Sequence, residues 1–204
     1  MLKNDRWIKE QAAAGMIKPF VPGLLRRIEH GESKDGSSML SVPALSFGTS
    51  SYGYDIRLSS KEFMIFRHVP GTVMNPKRFN PQNLQIVPLH RDEDGFYFIL
   101  PAHSYGLGVA LEKLAVPPNI TVICLGKSTY ARLGIIANTT PAEPSWTGNL
   151  TLEFSNSSGA DCRIYANEGI CQLLFFEGEP CETTYSDRNG KYQNQKEEVV
   201  MARV

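Results

Sequence analysis

From residue 47 onward, hydrophobic and polar positions alternate in the manner of strands. SYGYDIRL (51–58), EFMIFRHV (62–69), FYFIL (96–100), YGLGVALE (105–112), ITVICL (120–125), LTLEFSN (150–156), CRIYA (162–166) and GICQLLFFE (169–177) are short and rich in β-branched and aromatic residues. Gly, Pro, Asn or Ser separates each from the next. Hardly any helical periodicity lies between them, so the pattern predicts an all-β sandwich or barrel, one domain over residues 1–204. Residues 1–47 read as an N-terminal extension of helix and loop. Within it, NDRWIKEQAAAG predicts a short helix that Asn4 or Asp5 caps and Gly15 ends. Residues 23–29 allow a second short helix, and residues 31–38 read as a polar loop. From about residue 184 to 204 the chain turns polar and is short of apolar anchors, which predicts a mobile tail.

Two segments carry more polar chemistry than packing requires. In GNLTLEFSNSS, strand alternation puts Leu150, Leu152 and Phe154 on one face and Asn149, Thr151, Glu153 and Ser155 on the other. Glu153 then stands on a polar face, as a solvated glutamate or as a working one. In GKSTYARLG (126–134), a strand and a turn glycine lead into one helical turn. Lys127 and Ser128 fall at its start, where free N–H groups and the dipole suit phosphate. Ser128 and Arg132 are four residues apart and share a helix face. A capping serine and a surface arginine would give the same letters. The spacing is not that of a P-loop.

Composition narrows the partners. The 204 residues carry 21 Lys and Arg against 21 Asp and Glu, a formal net charge of zero. No global field therefore draws in a nucleic-acid polymer or a membrane surface, and binding of a charged ligand must be local. Cys124, Cys162, Cys171 and Cys181 form no C-x-x-C pair, and Cys124 and Cys171 lie in apolar runs as expected of reduced core residues. His30, His68, His90 and His103 are unclustered, so no metal site is expected. The N-terminus lacks the apolar core of a secretory signal, and no run approaches the ~20 apolar residues of a membrane span. The expected location is the cytoplasm.

The ordered set SSYGYDIRL, GKSTYARLGI, PSWTGNLTLEFSN and ANEGICQLLFFEGEPCETTYSDRNGKYQNQ resembles the dCTP deaminase family, over about residues 48–196. That family belongs to the trimeric dUTPase-like superfamily. The resemblance implies a dUTPase-like β-barrel or sandwich (β-clip) with a few short helices, assembled as a homotrimer with active sites between subunits. It implies hydrolysis of dCTP to dUTP and ammonia, which supplies dUTP for dUMP and dTTP synthesis, with dTTP as a possible inhibitor. Residue by residue, it implies that Glu153 is the catalytic carboxylate and that Ser128 and Arg132 flank the reacting centre. The segment Lys127, Ser128, Thr129, Tyr130, Ala131 and Arg132 would bind phosphates. Thr151 and Leu152 would flank the base, and Gln172 would contact the nucleotide. Tyr185, Lys191 and Gln195 would close over the triphosphate. Arg132 would help keep Glu153 ionised while burial pushes its pKa up.

Zinc nucleobase deaminases carry H-x-E and P-C-x-x-C, and this chain has neither. The expected chemistry is therefore zinc-free, with Mg2+ arriving only on the triphosphate. A dUTP diphosphatase would want an aspartate where TPAEPSWTG offers only Glu143, which also weakens a bifunctional enzyme. A non-catalytic nucleotide-binding regulator on the same fold would not need Glu153, Ser128 and Arg132 together.

Overall fold

A computed structural model describes residues 1–32 and 39–203. Helix α1 (Asp5–Ala13) starts as the sequence predicts: the Asn4 side chain accepts from the Trp7 N–H at 3.2 Å. Ile8 and Ala12, one turn apart, bury its inner face. Gly15 ends it at φ +100°, a left-handed conformation that glycine adopts without strain.

Two short segments then lead into long pairings. Strand β1 (Ile17–Lys18) is followed by β2 (Leu25–Glu32) and β3 (Met39–Ser50), an antiparallel pair in which Ile28 lies opposite Val42. Residues 23–29 are thus mostly strand, not helix. Turn residues near 23 signalled only a local break, whereas the backbone is satisfied by a partner a dozen or more residues away. Of the expected loop 31–38, residues 31–32 end β2 and residues 33–38 lie outside the described residues.

The sequence runs at 51–58 and 62–69 are largely one strand, β4 (Gly53–Phe66). Polar Ser59 to Lys61 between them sit where the register to its neighbour shifts, so a bulge absorbs them without ending the strand. There follow β5 (Leu84–Ile86), β6 (His90–Asp92), β7 (Gly95–Leu100), β8 (Tyr105–Ala115) and β9 (Ile120–Gly126). After a one-turn helix α2 (Ser128–Ala131) come β10 (Ile135–Asn138), β11 (Thr147–Asn156), β12 (Cys162–Tyr165) and β13 (Gly169–Glu177). Among the described residues the main sheet runs β10-β11-β8-β4-β13-β9, and β12-β7-β6 form a smaller one. All neighbouring strands pair antiparallel. The fold is all-β, as expected.

Tyr54, Ile56, Leu58, Phe63, Phe98, Phe154 and Phe175 fill the core. Phe63 stacks on Phe98 and tilts against Phe154, each at 5.2 Å between centroids. Gly108 is required there, because a Cβ would stand 2.7 Å from Leu58. Cys124 and Cys171 are buried free thiols, in keeping with the sequence reading. Among the described residues no helix is long and apolar enough to cross a membrane.

Two buried carboxylates brace the framework. Glu112 is sealed under β4, where it accepts from Arg57 Nε at 2.7 Å and from the Arg57 backbone N–H at 2.8 Å. Glu168, 2% exposed, accepts from the Leu45 N–H at 2.6 Å and fastens β3 to the turn before β13. Burial pushes its pKa up to about 7 against that hydrogen bond, and the charge of Asp94 adds to the rise. A carboxyl with a raised folded pKa holds its proton more tightly folded than unfolded. Its contribution is therefore present at acid pH and is lost as pH climbs from the ordinary carboxylate range through about 7. The loss is on the order of 3 kcal/mol. Glu168→Gln, which retains an acceptor for Leu45, is expected to be more stable than the parent at pH 8 and not at pH 5. Denaturant melts at the two pH values check this; an equal difference at both would contradict it.

Candidate functional site

Strands β8 and β11 pair through Leu107 opposite Glu153 and Tyr105 opposite Ser155. Over this pair opens a cleft of about 910 Å³. Glu153 lies in it, half-buried, and burial raises its pKa. The opposing influence is a hydrogen bond from the side chain of Asn138, its cross-strand partner on β10. A carboxylate raised in this way, yet open to a cavity, is suited to taking up and returning protons.

The tail forms one wall. The Trp146 indole N–H donates to the Tyr192 carbonyl at 2.8 Å, and the Asn194 N–H donates to the Thr147 carbonyl at 2.8 Å. The Asn149 N–H reaches the Gln195 carbonyl at 3.0 Å. Gly148, at φ +139°, is what admits this approach: a Cβ there would stand 2.6 Å from the Gln195 nitrogen. The Val200 N–H donates to the Thr151 hydroxyl at 3.1 Å, and Val199 is buried. Tyr185 packs partly against the core, and its hydroxyl accepts from the Tyr192 N–H at 2.9 Å. The sequence reading missed these anchors because a lone valine and tyrosine in a polar run give no periodic signal.

The predicted site residues fall into two groups. Thr151, Glu153, Tyr185, Lys191 and Gln195 line the cleft. The residues of the α2 turn and Gln172 do not line it within one chain. The Lys127 ammonium bonds to Asp55 and, at 3.0 Å, to Ser46 Oγ. Gln172 Nε2 donates to the same Asp55 at 3.1 Å and to Ser50 Oγ at 3.2 Å. Asp55, which is buried, thereby fixes the turn to the sheet. Tyr130 is in the core, its hydroxyl accepting from the Tyr165 N–H at 2.8 Å. Leu152 is fully buried and does not line the cleft. Ser128, Thr129, Ala131 and Arg132 are exposed.

Within one chain Arg132 is not beside Glu153: its guanidinium donates to the Ser128 carbonyl at 3.1 Å.

The cleft also holds side chains that the motifs did not single out. Phe66, Phe79 and Tyr105 line it, as does Arg188, which is ion-paired with Glu143. Strand register brings Tyr105 to this place, and register cannot be read from one strand's letters. Among the described residues no three His, Cys, Asp or Glu side chains converge as metal ligands.

Residues 4–178 match the sequence profile of the family described as dCTP deaminase-like. The chain is 46% identical over 197 residues to the dCTP deaminase of Alcanivorax borkumensis, an alignment covering 96% of this chain and 95% of that one. It is 48% identical over 197 residues to the dCTP deaminase of Nitrosomonas eutropha, with the same coverage of 96% and 95%. Among solved structures, the 2'-deoxycytidine 5'-triphosphate deaminase of Agrobacterium tumefaciens superposes with a TM-score of 0.54 at 18% identity. That superposition spans 87% of this chain and 48% of the solved one, a likeness of fold.

Proposed function

The chain belongs to the dCTP deaminase-like family, and on that footing we propose that its cleft hydrolyses dCTP to dUTP and ammonia, with Glu153 as the proton carrier. The observation that carries this reading is the half-buried Glu153 carboxylate, its pKa raised, in a cleft walled by the tail. Deamination needs one group to move protons in turn. Glu153 takes a proton from water, and the resulting hydroxide adds to C4 of the cytosine. The proton passes to N3; Glu153 then takes the proton of the new C4 hydroxyl and delivers it to N4, so that the C4–N4 bond breaks, ammonia departs and C4 becomes the carbonyl of dUTP. The sum is dCTP plus water giving dUTP plus ammonia, and the carboxylate is regenerated.

The substrate enters as its magnesium complex, so Mg2+ travels with the triphosphate. Tyr185, Lys191 and Gln195 of the tail meet the phosphates. Thr151 flanks the base, and Leu152 supports that wall from the core beneath. Lys127 keeps one N–H beyond those given to Asp55 and Ser46, enough for one phosphate oxygen. dTTP, also a pyrimidine deoxynucleoside triphosphate, is expected to compete for the same cleft. The setting is the cytoplasm, where deoxynucleotides are made.

Ser128 and Arg132 lie off the chain's own cleft, so a neighbouring copy in a homotrimer supplies them. Leu125, Leu133 and Ile136, exposed by 48%, 55% and 56% around the same turn, support a face that another copy covers. Mixing two inactive variants tests this. Glu153→Gln and Arg132→Ala chains, exchanged at random, are expected to regain roughly a quarter of wild-type activity, since one site in four then receives both intact residues. Mixed oligomers with no regained activity would sink the shared site.

The mechanism needs no zinc. Activity is expected to survive a zinc-selective chelator once magnesium is restored. Stoichiometric zinc in active protein, with activity lost on its removal, would contradict it.

A further inference from the structure

We propose that residues 197–202 form a strap clipped onto the bulge of β4, and that Glu197, at the clip, is a positioning residue that turns Gln195 toward the substrate's triphosphate. The inference rests on the deaminase reading above. It begins with an irregularity in β4. Leu58 stands opposite Ala110 and Phe63 opposite Gly108, so residues 59–62 bulge out against a single residue of β8. Groups in such a bulge leave the regular ladder and can meet another partner. The partner here is the end of the chain.

Ser59 carries the clip. The residue is 1% exposed. Its hydroxyl oxygen accepts from the Lys61 N–H at 3.1 Å, and its proton goes to Glu197 Oε1 at 2.7 Å. Among the described residues that proton has no other acceptor. The second Glu197 oxygen is ion-paired with Lys61. Beside it, Glu62 accepts from the Val199 N–H at 2.7 Å, and the Val199 side chain is buried. The last residues of a chain fray unless something ties them down. A buried donor that the tail satisfies and a buried valine do so here, because a hydroxyl left unpaired in the interior is costly.

From the clip the strap passes along the cleft, which Val200 and Ala202 line. The Val200 N–H donates to the Thr151 hydroxyl at 3.1 Å, and that hydroxyl donates to Gln195 Oε1 at 3.4 Å. A hydroxyl has one proton, so with Val200 donating to its oxygen the proton is left for Gln195. The Gln195 backbone is held in turn, its carbonyl accepting from the Asn149 N–H at 3.0 Å. With its side-chain oxygen engaged, the Gln195 amide keeps both N–H groups, which no described residue takes up, for phosphate oxygens. Released from Glu197, the strap would no longer hold Val200 on Thr151, and the amide would be free to turn.

The test uses Glu153→Gln protein, in which substrate survives, and measures calorimetric binding of magnesium dCTP. Adding Glu197→Ala is expected to weaken binding about three- to thirtyfold, no more than the loss of one hydrogen bond to a charged group brings. Glu197→Gln, whose carbonyl oxygen still accepts from Ser59, should keep most of the affinity, since the Lys61 side of the ion pair is largely exposed. Glu198→Ala, which removes the neighbouring exposed carboxylate, should stay within about twofold of the parent. A positioning role also makes the loss conditional on Gln195. In a Gln195→Ala background, Glu197→Ala should weaken binding by less than about twofold further. Affinity unchanged by Glu197→Ala, an equal loss in Glu198→Ala, or the same fold loss with and without Gln195 overturns the strap. A Glu153→Gln parent that binds no dCTP at all removes the deaminase reading itself, and this inference with it.

Discussion

Replacing Glu153 with glutamine is expected to lower kcat for dCTP by about a hundredfold or more and to leave the Kd for dCTP little changed. Glutamine keeps the shape of the side chain and an oxygen for the Asn138 amide. It cannot accept a proton from water. General-base removal typically costs ~10²-fold or more, and an interaction used only in the reaction lowers kcat without weakening ground-state binding. The pH profile of the parent offers a second reading of the same residue. Burial raises the Glu153 pKa, so the ionised base is lost at a higher pH than for an exposed glutamate, and kcat/KM should fall off on the acid side correspondingly early. Retention of more than about a tenth of the wild-type kcat in Glu153→Gln would show that another group moves the protons.

Truncation after Thr184 is expected to leave a folded assembly whose kcat/KM for dCTP is lower by about a hundredfold. The cut removes Tyr185, Lys191 and Gln195 at once, and with them the wall that shuts water out of the cleft. The fold should survive, because the core strands end with β13 and the tail is held mainly at the surface of β11. Ordering a tail residue costs about 1–2 kcal/mol, and the tail is held by separate hydrogen bonds, such as Asn194 to Thr147 and Trp146 to Tyr192, rather than by a continuous strand ladder. Such a segment opens more readily than the sheet beneath it. Bound nucleotide adds contacts to Lys191, Tyr185 and Gln195, so dCTP should slow proteolytic cleavage of the tail in Glu153→Gln protein. Equal cleavage with and without dCTP, together with full activity of the truncated chain, would remove the tail from the account.

Much of the architecture is legible in the chain itself because it rests on local rules. Asn4 and Gly15 mark the two ends of α1, and alternation in LTLEFSN puts Leu152 and Phe154 inward and Glu153 outward. What the letters omit is what depends on a distant partner. Strand β2 exists because β3 lies beside it, although its own turn-rich neighbourhood suggests a helix. Strand β10 sits within IIANTTPAEPSWTG, which reads as a linker until β11 pairs with it. The tail's seat depends on Gly148 and Trp146, far upstream of the residues they hold. The site divides along the same line. Glu153 and the tail residues come together in one cleft, but where Arg132 stands relative to Glu153 and the arrival of Tyr105 opposite Ser155 depend on how distant strands pair. A motif specifies neither.

The central claim is that water attacks carbon and not phosphorus in this cleft. Purified protein incubated with dCTP and magnesium should yield dUTP and ammonia in equal amounts, with the triphosphate intact, when nucleotides are separated by ion exchange and ammonia is assayed in the same sample. Pyrophosphate with a nucleoside monophosphate, or consumption of dCTP with no ammonia released, would contradict it.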